Sequence, residues 1–444
     1  MSIRRSSRSD GSTIGTAEAD AATVDGRLQR RSCGITILVI LAGLNALAPV
    51  SMDMYLPAMP SVASSLASPG ILVQLTLTVC LIGMALGQLV AGPMSDRCGR
   101  RRPLLLGMAL YTVATAACAL ATDIRLLLAC RLLQGLAGAA GIVIARAVVR
   151  DLYEDDEMIR VFSTLLLISG VAPVIGPVAG AQILRVTDWR GIFGFLAVLG
   201  FLLILAVLRL LPETLPADRR HSGGIGDSLR TMGRLLGDRA FAGHLLVGGM
   251  AFTAFFTYLS ASPFVIQTLY GASPQTFGLV FGLNSLGLIS AGQLNARLLS
   301  RRFNPGTVIA AGLALLVLSA STLVLTATMT PHTGLSTFTA ATFILMSAVG
   351  ILLPVTNSQA LARTPHAAGS ASALLGASSF LIGAAVSPLA AIAGERTALP
   401  MAAVQAGCTL TATVGFVTLC RPRSPSTVRR FRSSKRAVPT RSRW

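Results

Sequence analysis

A bundle of about twelve membrane-spanning helices is the fold class this sequence predicts, and three observations predict it. Hydrophobic residues make up 53% of the 444 residues and charged residues only 12%, with a mean hydropathy of +0.69. An ordinary soluble domain is roughly a quarter charged. The apolar residues fall in runs of about 20, the length that crosses a bilayer, separated by short polar connectors. The basic residues are sorted between alternate connectors: about 31 of the 37 lie in the tails and the even-numbered loops. The exceptions are Arg125, Arg185, Arg190 and Arg396 in odd loops, and Arg131 and Arg146 inside spans. Cytoplasmic loops carry such an excess, so both termini are predicted to be cytoplasmic. A net charge of +19 distributed in this way reflects topology, and no nucleic-acid partner is expected.

Taken in order, residues 1–33 are polar and rich in Ser and Arg, and are expected to form a disordered cytoplasmic tail without a removable signal peptide. Spans are predicted near 34–56, 71–93, 104–122, 125–149, 161–185 and 189–211, making a first six-helix bundle over 34–211. A polar cytoplasmic linker covers 212–240. Spans near 241–268, 276–298, 306–328, 334–358, 367–393 and 398–419 make a second bundle over 241–419, and 420–444 is a basic cytoplasmic tail. Gly92, Arg97 and Arg101 recur as Gly292, Arg297 and Arg301, with Ala296 and Leu299 in place of Asp96 and Gly99. An internal repeat of this kind places the substrate site between the two bundles, near mid-membrane.

The function classes narrow further. Seven cysteines show no C-x-x-C spacing and imply no disulfide framework. The four histidines (221, 244, 332 and 366) are scattered, so no metal or nucleophile cluster suggests an integral-membrane enzyme. No cofactor is expected.

Three regions could carry chemistry. In the loop 92–103, Gly92-Pro93 is expected to end span 2, Gly99 permits a tight turn, and Asp96 sits among Arg97, Arg100, Arg101 and Arg102. A second region lies at the outer end of span 1, where Asp53 is the one clear carboxylate in the membrane interior, just before Met54-Tyr55-Leu56-Pro57. Arg131 lies in span 4 at a depth of about 9 Å by helical rise and Asp53 near the outer third of the membrane, so a level, facing pair is one arrangement open to them. Intramembrane charges are functional candidates by default. Alternative readings are that Asp53 caps a break at Pro57 and reaches outside water, and that Arg131 snorkels to the surface. The third region is span 5, where Gly170, Pro173, Gly176, Pro177 and Gly180 make a bendable, close-packed helix. Tyr55, Gln134, Asn45, Asn284 and Asn357 are candidate cavity residues. Phe252, Phe255, Phe256 and Tyr258 share a helix in span 7 and line either the cavity or the core.

The loop 92–103 is similar to the loop 2–3 signature of the major facilitator superfamily. Arg131-Leu132-Leu133-Gln134-Gly135 resembles that family's span 4 motif, and the span 5 run resembles its antiporter motif, with Ala181 in place of the last Gly. Asp53-Met54-Tyr55-Leu56-Pro57, Val149-Arg150-Asp151-Leu152-Tyr153, Pro212-Glu213-Thr214 and Pro365-His366-Ala367-Ala368-Gly369 resemble the bicyclomycin- and chloramphenicol-resistance (Bcr/CflA) branch. The resemblance covers about residues 34–420. It implies a monomeric bacterial plasma-membrane exporter driven by proton entry, working by alternating access. Asp53 and Arg131 would couple protons, and the loop residues Gly92, Asp96, Arg97, Gly99, Arg100 and Arg101 would gate. The cargo would be a small-molecule drug, neutral and polar because no second buried carboxylate awaits a cation. The alternative is an endogenous metabolite or self-made antibiotic.

Overall fold

The computed structural model describes residues 36–153, 155–216, 225–328, 334–364, 368–391 and 397–420. The two expected tails, the middle of the linker (217–224), Arg396 and the Pro365-His366 pair lie outside the described residues. Every regular element among those described is helical. The first half comprises α1 (Thr36–Ser65), α2 (Gly70–Cys98), α3 (Arg101–Ala119), α4 (Ile124–Leu152), α5 (Asp155–Ile183) and α6 (Trp189–Leu210). A short helix in the linker, α7 (Ile225–Leu236), precedes the second half. That half comprises α8 (Arg239–Leu269), α9 (Pro274–Arg302), α10 (Pro305–Thr328), α11 (Leu335–Ala362), α12 (Ala368–Val386, with a 3-10 turn to Ala391) and α13 (Leu399–Cys420). Eleven of these are long and apolar enough to cross a membrane; α5 is as long, but its described apolar stretch, Gly170–Ile183, is shorter.

Capping residues start several helices where the apolar runs predict them. Asp123 accepts from the backbone N–H groups of Arg125 and Leu126 at 2.9 and 3.0 Å, Asp238 does the same for Ala240 and Phe241, and Ser273 caps α9. Each satisfies donors that a helix start leaves unpaired.

Two boundaries differ from expectation. Gly92-Pro93 does not end α2: the helix runs through Pro93 to Cys98 and stops at Gly99, whose φ of +87° lies in the left-handed region that glycine tolerates. Nor does α1 end at Pro57. After Asp53 it tightens into a 3-10 turn, Leu56–Ala58, and resumes over Met59–Ser65. Pro57 and Pro60 each occupy a first-turn position, where the missing N–H costs nothing.

Backbone-to-backbone packing through glycine builds both halves the same way. A Cβ on Gly135 of α4 would strike the Cys80 carbonyl of α2, and one on Gly350 of α11 would strike the Leu288 carbonyl of α9. Small residues allow this approach in lipid, where hydrophobicity does not drive helices together. Gly92 and Gly292, with their following arginines, stand near the ends of α2 and α9 that share one face of the bundle, here termed the basic end.

Across the halves, α5 lies on α9 and α2 on α12. Gln267 donates to the Pro57 carbonyl at 3.1 Å, Gln275 to the Ala181 carbonyl at 2.9 Å, and Ser285 to the Pro173 carbonyl at 3.2 Å. These links join the halves from mid-membrane to the end opposite the basic one.

Candidate functional site

Asp53 sits immediately under the joined end. It is 4% exposed, and among the described residues it has no hydrogen bond or ion pair. Its neighbour is the glycine face of α5: a Cβ on Gly176 would lie 2.7 Å from the Asp53 Cβ, and one on Gly180 would strike the Met54 carbonyl. The glycine spacing in span 5 therefore serves close contact with α1 at the carboxyl. Gly170 has nothing within 4 Å of a Cβ position, so it takes no part in that contact. Pro173 and Pro177 turn their carbonyls toward Ser285 and Gly278 of α9, and α5 thereby touches both α1 and the other half. The reading in which Asp53 reaches outside water does not hold.

Arg131 is fully buried and does not snorkel. Its Nη1 donates to Gln134 Oε1 at 2.6 Å and lies 3.5 Å from the Ser51 carbonyl oxygen. The guanidinium carbon stands 4.9 Å from the Tyr55 ring centre and 5.7 Å from that of Phe193, both within cation–π range. Among the described residues, Nε and Nη2 have no hydrogen-bond partner. Gln134 passes the network on through Nε2 to Thr115 Oγ1 at 2.9 Å, and the Tyr55 hydroxyl is bonded to that of Thr76. Phe193, Thr115 and Thr76 were not singled out by sequence, and nothing in their spacing marks them.

The expected meeting of Asp53 and Arg131 does not occur, for a geometric reason. Ser51 and Tyr55 are four residues apart and share the face of α1 turned to Arg131, whereas Asp53 lies two residues from each and points to the other side. The two charges flank one turn of helix without touching.

At the basic end, Arg100 is the hub of the loop. Its guanidinium donates to Asp96 at 2.5 Å, Ser95 at 2.9 Å and Asp151 at 2.8 Å, and Thr214 donates to the same Asp151 oxygen. Glu213 accepts from the backbone N–H groups of Arg100 and Arg101 at 2.7 and 3.1 Å, a carboxylate at the start of α3 where the helix dipole favours it. Arg101 also donates to the Leu208 carbonyl. No ion pair of Arg97 is found among the described residues. Every described partner of the loop lies in the first half or at the start of the linker, so in this conformation it braces α2, α4 and α6 and does not bridge the halves.

The remaining candidates divide. Asn45 is buried in α1. Asn284 is fully buried and ties three helices together, donating to the Tyr258 hydroxyl and Thr342 Oγ1 at 2.8 Å each, so it lines no open space. Asn357 is exposed. In the span 7 cluster Phe256 and Tyr258 are core, while Phe252 meets Phe380 of α12 at 5.4 Å. A groove of about 530 Å³ between α10 and α13, lined by Val317, Ala320, Val324 and Ala406 among others, lies on the flank of the second half and away from these charges.

The family model of the Major Facilitator Superfamily matches residues 41–388. The chain is 40% identical over 395 residues to an uncharacterized MFS-type transporter, YdgK, of Bacillus subtilis, covering 88% of this chain and 96% of the relative. It is 29% identical to a bicyclomycin resistance protein homolog of Haemophilus influenzae, over 87% of this chain and 96% of that one. Among solved structures it resembles a bacterial homolog of the human lysosomal transporter Spinster, in an inward-facing and unoccupied conformation. There the TM-score is 0.68 at 15% identity, over 86% of this chain and 96% of the other. The chain therefore belongs to the major facilitator superfamily and is a multi-pass membrane transporter.

Proposed function

We propose that the protein exports small polar antibiotics of the bicyclomycin or chloramphenicol type in exchange for protons, by alternating access, with Asp53 as the proton-carrying group. One observation carries the reading: a lone carboxyl, buried without a partner, lies where α1 meets the glycine face of α5 beneath the joined ends of the two halves. An ionised carboxyl held there is costly, and a bound proton removes the charge. Parting the halves at that end brings water to Asp53. Closing them presses α5 back over it. The proton state of Asp53 and the position of α5 are thereby linked, which is what coupling requires. Arg131 holds α1 against α4 through the Ser51 carbonyl and the Tyr55 ring, and keeps the carboxyl in register. The cargo would enter the cleft from the basic end, and the absence of a second buried carboxylate favours neutral molecules over organic cations.

The test is resistance in a pump-deficient bacterial host expressing the wild type or Asp53→Asn at matched membrane levels. Resistance to bicyclomycin or chloramphenicol is expected to be lost in the variant. Undiminished resistance with Asn at position 53 would remove the proton-carrying role.

A further inference from the structure

Arg146 is the one charged residue inside a span that this coupling scheme leaves unused. It lies in α4 six residues before Leu152; its side chain is exposed, and among the described residues it has no hydrogen bond, ion pair or ring contact.

Its direction follows from its helix. Leu126, Ala129 and Leu133 form the exposed outer face of α4. Arg146 is thirteen residues beyond Leu133, which at 3.6 residues per turn places it about 140° around the helix from that face. Gly141 backs onto Leu44 of α1 and Gly92 of α2 onto Val143, and Arg146 leaves α4 between those two directions. It therefore enters the cleft between α1 and α2. Asn357 holds the matching place in the second half. Thr356 meets Gly248 of α8, Gly350 meets Leu288 of α9, and Asn357, exposed, points between them. It lies five residues before the end of α11. Both side chains thus stand about 8–9 Å inside the basic end by helical rise, on opposite walls of one cleft.

Nothing on the far wall neutralises the arginine. From Asp238 to Glu395 the chain contains no Asp or Glu. On its own helix the carboxylate of Asp151 is engaged by Arg100 and Thr214. We propose that Arg146, faced by the Asn357 amide, recognises a carboxylate on the transported molecule, so that the cleft favours acidic cargo over its neutral counterpart. A guanidinium fork matches a carboxylate in two parallel hydrogen bonds, and an amide adds a further donor. The proposal rests on the cleft being the cargo route, as the transport reading has it, and extends its substrate class from neutral to acidic polar molecules.

The test is binding of two probes that share a scaffold, chloramphenicol and chloramphenicol hemisuccinate, to the purified full chain in lipid-free detergent. The wild type is expected to bind the hemisuccinate about five-fold tighter or more, the scale of one charge-assisted hydrogen bond. Arg146→Gln should bring the two probes level, and Arg146→Lys should keep part of the difference. A wild type that does not prefer the hemisuccinate overturns the proposal, as does a preference that survives Arg146→Gln. Stabilisation by phosphatidylglycerol that depends on Arg146, with none by the hemisuccinate, would assign the residue to a lipid headgroup and also overturn it. The readout needs no proton gradient, so its failure is distinct from retention of export in Asp53→Asn.

Discussion

The contact between α5 and α1 predicts that one substitution, made twice in the same helix, has opposite effects. In Gly176→Ala the new methyl would stand 2.7 Å from the Asp53 Cβ and 3.4 Å from the Met54 backbone nitrogen. Carbon atoms pack at about 3.5–4.0 Å, so α5 must retreat by about 1 Å. Overpacking of this size costs about 1–3 kcal/mol. In Gly170→Ala the methyl meets nothing within 4 Å, and a helical Gly→Ala change without a clash gains about 0.4–1 kcal/mol, chiefly by restricting the unfolded chain. Thermal unfolding in detergent, followed by size-exclusion of fluorescent fusions, reads both. Gly176→Ala should melt lower than wild type and Gly170→Ala at or above it, and only the first should impair drug resistance. Two variants that shift together, or a Gly176→Ala protein as stable and active as wild type, would refute the placement of Asp53 against α5.

Two more outcomes follow from the contacts at the ends of the bundle. Gln275→Ala removes one hydrogen bond between the halves, worth about 1 kcal/mol net. It should therefore shift the balance toward the state open at that end about five-fold, visible as a broadened spin-label distance between α5 and α9; an unchanged distribution would speak against these links as a closure. Arg100→Lys replaces a fork that holds Asp96 and Asp151 together by a point charge that cannot reproduce its geometry. With Asp96 half exposed, the expected loss is about 1 kcal/mol, checked by unfolding, and equal stability of the lysine variant would leave the hub without energetic weight.

Much of this architecture was legible in the sequence because lipid imposes simple rules. Runs of about 20 apolar residues and arginines on alternate loops are readable without contacts, and the Gly92–Gly292 repeat suggests paired halves. The errors came where helix ends depend on a single residue's conformation. Pro93 looked like a stop, but Gly99 is the residue that reaches φ +87°. The polar candidates were harder still. Asn284 and Asn357 are indistinguishable in a string of apolar residues, yet one is locked between Tyr258 and Thr342 and the other is exposed. Hydropathy cannot separate them, because the difference lies in which neighbouring helix passes each face. The partners of Arg131 were invisible for the same reason: Thr115 and Phe193 come from helices whose crossing no local pattern encodes.

The separation of Asp53 from Arg131 follows from helical geometry as soon as the structure gives Arg131 its partners on α1. Once Arg131 takes Ser51 and Tyr55 as its partners on α1, the residue midway between them must face away. That changes the coupling logic. A carboxylate paired with an arginine would have its charge answered at every stage, and proton binding would have to break the pair first. With the pair absent, the arginine can remain in place throughout the cycle as a grip on α1, and only the contact over Asp53 has to change. The element that makes that contact is α5, which touches α9 through the Pro173 carbonyl and α1 through Gly176. In the proposed cycle, a movement of the second half would be delivered to the carboxyl through one glycine- and proline-rich helix, and the charge in the first half that stays buried would take no part in it.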